Sequence, residues 1–163
     1  MSETHEATWL TQEAYDRLAS ELEYLLTVAR QDIAKKIQEA REEGDLKENG
    51  DYHAAKDEYG MFNDRKNFVI GILENSEIAE PPASDEVGVL STVTILFDGD
   101  DEDDAEVYLI GHVEEKRTDN STEVMSPVSP IGGALLGHKA GDKVTVTLEN
   151  GAKVSVVVLK VEN

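Results

Sequence analysis

The sequence predicts an α+β protein in two parts: an N-terminal antiparallel two-helix coiled coil, and a C-terminal sheet domain with one short helix. Two observations carry this. Apolar residues recur in steps of three and four through the first half, and β-branched alternation replaces them after the Pro81-Pro82 pair. A chain of 163 residues has room for one medium domain or two small ones.

The first helix is expected from Thr11 to about Glu43. Tyr15, Leu18, Leu22, Leu25, Ala29, Ile33, Ile37 and Ala40 form one apolar stripe. Thr11 is placed as its N-cap, with Leu10 and Tyr15 positioned as a hydrophobic staple. A second stripe follows through Tyr52, Ala55, Tyr59, Phe62, Lys66, Val69, Leu73 and Ser76, with a lysine and a serine at seam positions. Between them, Gly44 to Asp51 has the glycines and turn-forming Asp and Asn residues of a hairpin tip. Helices of some thirty residues would put that tip roughly 45 to 50 Å from the base. A hairpin this long exposes much of its own surface, so reach explains it better than stability does. Gly60 and Gly71 each weaken the second helix by about 1 kcal/mol relative to alanine, for no reason legible in the sequence.

Pro81 and Pro82 end the helical pattern, which sets the domain boundary between residues 80 and 81. Strands are expected over Val87–Phe97, Glu106–Glu114, Thr122–Ser126, Lys143–Leu148 and Lys153–Val161. Asn150-Gly151 marks a hairpin between the last two, since both residues tolerate positive φ. Ser129-Pro130-Ile131 followed by Gly137 has the N-cap, first-turn proline and terminating glycine of a short helix.

Composition narrows the function classes. A formal charge of −20 repels phosphate backbones and anionic lipid, so neither independent DNA binding nor membrane association is expected. The absence of cysteine excludes disulfides, thiolate zinc sites and a cysteine nucleophile. Together with the lack of any apolar run long enough to span a bilayer, it fits a cytoplasmic protein. The four histidines show no ligand spacing, and the acidic run Asp98–Asp104 lacks the glycine and glutamate of an EF-hand, so it reads as a strand-connecting loop. No glycine-rich phosphate loop or nucleophile elbow is present.

The candidate chemistry lies at the tip. Asp45 and Glu48 are three residues apart, and on a helical turn their carboxylates would share one face as hard-oxygen ligands suited to Mg²⁺. Two such ligands hold magnesium weakly, so the arrangement suits a site shared with a partner. The alternative is a solvated turn with capping acids. Asp51 is read as the N-cap of the second helix. Arg41, Lys47 and Lys56 are cations near the tip, in a segment where residues 1–80 hold 9 Lys and Arg against 19 Asp and Glu. Either they contact RNA phosphate or they form solvated ion pairs with their neighbours.

The string from Ala40 to Lys56, A-R-E-E-G-D-L-K-E-N-G-D-Y-H-A-A-K, resembles the tip signature of the bacterial Gre transcript cleavage factors, of the GreA type. The likeness continues in Leu10-Thr11 with Leu18, Glu21, Leu22 and Leu25, and in Ser126–Gly137, so it covers nearly the whole chain. Gly50 and Asp51 depart from the alanine and glutamate usual there. The resemblance implies an FKBP-like antiparallel sheet domain over 81–163 that docks on RNA polymerase through Ser129, Pro130, Ile131, Leu136 and Gly137. It also implies a coiled coil over 1–80 that enters the polymerase secondary channel. Asp45 and Glu48 would then help the polymerase hold a second Mg²⁺, and Arg41 and Lys56 would contact the 3′ end of the nascent RNA. The protein would stimulate the polymerase's own cleavage of backtracked RNA and would not be an enzyme itself.

Two rivals are a Gre-fold regulator that occupies the channel and inhibits without cleavage, and a prolyl isomerase. The retained acid pair argues against the first. The second lacks an aromatic pocket, since the C-terminal part offers only Phe97 and Tyr108 and the single tryptophan, Trp9, lies in the other half.

Overall fold

A computed structural model of the chain describes residues 7–43, 49–116 and 122–163. They form two compact units, one comprising residues 15–76 and the other residues 7–14 with 77–163.

The first unit is the helical hairpin. Its ascending arm comprises α1 (Gln12–Tyr24), a π-helical segment (Leu25–Ala29) and α2 (Arg30–Glu42). Thr11 caps α1, its Oγ1 accepting from the Ala14 amide at 3.1 Å. The π segment has a cause in the stripe itself. From Leu25 the apolar residues run 25, 29, 33, 37, and successive steps of four carry a stripe about 40° per step around a straight α-helix. One wider turn takes up part of that drift. The Thr27 hydroxyl donates to the Glu23 carbonyl at 2.7 Å in the same stretch.

The descending arm, α3 (Gly50–Glu74), is continuous. Its 25 residues give about 37 Å of helix, while the ascending arm from Gln12 to Glu42 gives about 46 Å, within the expected reach. Leu25, Ile33 and Phe62 form the buried seam, with Ala29 and Ile37 packed against it. Leu18, Ala40, Ala55 and Val69 are buried as the stripes require, while Tyr59 is half exposed. Ion pairs between described residues tie the arms in antiparallel register. Arg65 grips Glu21 through Nε and Nη2 at 2.6 and 2.7 Å, and Lys36 Nζ meets Glu58 at 2.9 Å.

Two short strands, β1 (Thr8–Leu10) and β2 (Ser76–Ile78), pair outside the elements the sequence predicts. Three residues are too few to show alternation. Trp9, expected in the other half, instead lies in β1 and so within the second unit, because the segment before α1 clusters with the sheet domain.

The second unit is a five-stranded sheet of order β5-β4-β3-β7-β6, built from β3 (Thr92–Phe97), β4 (Glu106–Ile110), β5 (Glu123–Met125), β6 (Lys143–Thr147) and β7 (Lys153–Glu162). Three pairings are antiparallel, but β4 and β5 run parallel, so the sheet is mixed. The core comprises Val93, Ile95, Ile110, Val144, Val146, Val156 and Val158 from the strands, with Val87 and with Leu135 of α4 (Pro130–Leu135).

Several boundaries moved for local reasons. The strand expected from Val87 starts only at Thr92, because a turn from the Ser91 amide to the Gly88 carbonyl, with Leu90 at φ 75°, breaks the extended run. The strand expected to Glu114 ends at Ile110 and is followed by a 3₁₀ turn over Val113–Glu115. The β6–β7 loop has one positive φ, at Gly151 (83°), not two. Leu148 pairs with Ala152 around a three-residue loop that closes with a left-handed glycine. Among the described residues, no helix is long and apolar enough to cross a membrane.

Candidate functional site at the hairpin tip

Asp45 and Glu48, with Gly44, Leu46 and Lys47, lie outside the described residues. The residues on either side form a definite frame. The ascending arm closes at Glu43, whose amide donates to the Ala40 carbonyl at 3.4 Å. The descending arm opens at Asn49, which has extended geometry and accepts from the Tyr52 amide at 3.1 Å. Asn49, not Asp51, is therefore the N-cap, since the helix begins earlier than expected and leaves Asp51 in its first turn.

Asn49 has a second bond. Its Nδ2 donates to the Ala40 carbonyl, which also accepts the long bond from the Glu43 amide at the end of α2. One side chain thus caps the start of one helix and the end of the other, and brackets the segment that carries Asp45 and Glu48.

Tyr52 lies in the first turn of α3, and the structure brings both predicted RNA-contacting cations to its ring. The Arg41 guanidinium carbon lies 5.8 Å from the ring centroid and Lys56 Nζ lies 5.5 Å from it. His53 meets the ring edge-on, with centroids 5.8 Å apart. The role of Asn49 was readable as an Asx residue before a helix. The role of Tyr52 left a weaker trace, namely that Arg41 and Lys56 lie on either side of it in sequence.

Beside this frame, Glu39, Glu43, Asp51 and Glu58 line a groove of about 270 Å³ with Lys36. Among the described residues, no three His, Asp or Glu side chains are grouped to hold a metal ion.

The predicted docking residues fall together around α4. Ser129 caps that helix, accepting from the Gly132 amide at 3.1 Å, and its hydroxyl donates to the Ser126 carbonyl at 2.6 Å. Pro130 occupies the first turn, and Gly137 has φ 83° beyond the helix end. Ser129, Pro130 and Ile131 line an apolar groove of about 380 Å³ with Tyr108, Met125 and Leu148. Leu136 is 37% exposed beside the buried Leu135.

Sequence reasoning missed three residues that hold these parts in place. Gly132 has no space for a side chain, as a Cβ there would lie 2.1 Å from the Ser126 carbonyl oxygen. Glu115 is a buried carboxylate that accepts from the Thr11 amide at 2.7 Å and from the Thr11 hydroxyl at 2.9 Å. Asp142 accepts from the Lys139 amide at 2.9 Å and lies 3.1 Å from His138 Nδ1, and these two contacts lower its pKa.

The described residues thus form a helical hairpin and a mixed-sheet unit in one chain. Residues 8–78 match the family model for the N-terminal part of GreA/GreB transcription elongation factors, and residues 81–163 match the model for their C-terminal part. The chain belongs to the GreA/GreB family and is a transcription elongation factor of the GreA type. It is 49% identical to transcription elongation factor GreA of Streptomyces coelicolor, over 99% of this chain and 98% of the relative. It is 43% identical to GreA of Mycolicibacterium smegmatis, over 96% of this chain and 95% of the relative. Among solved structures, GreA factor homolog 1 (Gfh1) of Thermus thermophilus is 26% identical over 96% of this chain and 99% of that one, with a TM-score of 0.44.

Proposed function

We propose that this protein acts on bacterial RNA polymerase as a transcript cleavage factor. Its hairpin, formed within residues 1–80, enters the secondary channel, while the domain over 81–163 docks outside through the surface around Ser129, Pro130, Ile131, Leu136 and Gly137. Asp45 and Glu48 then meet the active centre, and backtracked RNA is cut near its 3′ end so that elongation resumes. The observation that carries this reading is the Asn49 bridge, which ties both helix ends around the segment holding the two acids.

The chemistry follows from the ligand type. Two carboxylates are the hard-oxygen donors that magnesium takes, but they are too few to hold it, so Asp45 and Glu48 would complete a site held mainly by the polymerase. Bound there, the ion supplies charge stabilisation and a more acidic water for in-line attack at phosphorus. The carboxylates also accept hydrogen bonds from that water and orient it. Arg41 and Lys56 contact the phosphates of the RNA 3′ end. The factor has no self-contained active site in this scheme; it acts in the cytoplasm on the polymerase and its nascent RNA, and it does not bind DNA independently.

Adding the protein to a backtracked elongation complex with Mg²⁺ tests the proposal. The expected result is shortened RNA that can be extended again. Inhibited synthesis with no shortened RNA would overturn it and favour the channel-blocking alternative.

A further inference from the structure

We propose that Tyr52 is a positioning residue whose ring holds Arg41 and Lys56 together as one two-cation clamp for an RNA phosphodiester; this rests on the reading above that the tip meets RNA. Arg41 comes from the last turn of α2 and Lys56 from the second turn of α3, so they reach the ring from opposite sides of the tip segment. Both cationic centres lie within 6 Å of one centroid, which limits their separation to about 11 Å.

Two like charges on long flexible stems would otherwise spread apart, and ordering them on a ligand would cost rotamer entropy. The negative face of the ring offsets their repulsion and orders them before the ligand arrives. The bond from the Tyr52 amide to the Asn49 cap fixes the backbone that carries the ring, and His53 packs on the ring's edge.

Elsewhere on the hairpin, Lys35, Lys36 and Arg65 are paired with Glu39, Glu58 and Glu21, and Lys66 lies over Phe62, but these described cations do not share a ring as Arg41 and Lys56 do. Among the described residues, Arg41 and Lys56 form no ion pair and face the aromatic ring instead. A cation held by a ring keeps its charge for an incoming anion, whereas one neutralised by a carboxylate does not. On a protein of charge −20, concentrating two such cations at one point is what permits local phosphate contact.

The test places a photoreactive 4-thiouridine at the RNA 3′ end of a backtracked complex and measures crosslinking to the factor for wild type, Tyr52→Phe and Tyr52→Leu, at saturating factor. The expected result is a yield near wild type for Tyr52→Phe and about a tenfold loss for Tyr52→Leu, with polymerase binding unchanged. The double variant Arg41→Gln, Lys56→Gln should lose as much while leaving the ring intact, which keeps the test decisive if Tyr52→Leu disturbs the hairpin. In the free protein, NMR should show the Lys56 ε-methylene protons shifted upfield by the ring, in Tyr52→Phe as in wild type. Undiminished crosslinking in the double variant, no crosslink in wild type, or no ring-induced shift would each overturn the clamp. Crosslinking without cleavage would instead remove the cleavage reading and leave the clamp standing.

Discussion

Tyr108 shows how a single contact sets a side chain's chemistry. Its hydroxyl donates to Glu106 at 2.6 Å, and this bond, followed by partial burial and the nearby carboxylate charges, pushes the phenol up to about 12. Because the folded value lies above the ordinary value of 10.0, the stabilisation is complete below that pH and is lost as pH rises through about 12. Titration followed by tyrosinate absorbance should show one late-ionising group that Tyr108→Phe removes; a late step that survives the substitution would contradict the assignment. Gly132 is the steric counterpart. Gly132→Ala drives a methyl into the Ser126 carbonyl and should cost about 1–3 kcal/mol in urea unfolding. Neither effect could be read from sequence, because each depends on an atom that only the fold brings near.

At the scale of elements, the ends of helices matter more than their middles. Asn49→Ala removes the α3 cap and leaves the Ala40 carbonyl only its long bond from the Glu43 amide, so the hairpin should lose about 1–2 kcal/mol by thermal or urea unfolding followed by circular dichroism. Asp51→Ala, which lies inside the helix, should cost clearly less. Glu115→Ala should cost about 1–3 kcal/mol, since it leaves the Thr11 donors without their buried acceptor. The seam itself was legible in sequence because burial repeats with helical period: Leu18, Leu25, Ile33 and Ala40 are buried where the stripe puts them. The π segment and the β1–β2 pair were not. The first is a phase correction that sequence period only hints at, and the second is too short to have a period. The parallel β4–β5 pairing was also hidden, since alternation specifies a strand's faces but not its neighbour's direction.

For the molecule as a whole, the proposed function has a protein of charge −20 leave most of the grip on RNA to the polymerase, with phosphate contact limited to the cations near the tip. The sequence displayed both candidate sites, the Asp45–Glu48 segment and the Ser129–Gly137 block, because each is contiguous in the chain. It did not display the aromatic bridge between Arg41 and Lys56, which are fifteen residues apart and meet only when the hairpin closes. Docking through the exposed Leu136 predicts that Leu136→Ser weakens polymerase binding about tenfold in a competition assay while circular dichroism stays unchanged. The most direct test of the central claim is the cleavage rate of a backtracked complex, measured per bound factor, for Asp45→Asn and Glu48→Gln. The account predicts a fall on the order of a hundredfold with polymerase affinity within about twofold of wild type. Unchanged cleavage per bound factor, with any loss confined to affinity, would contradict it.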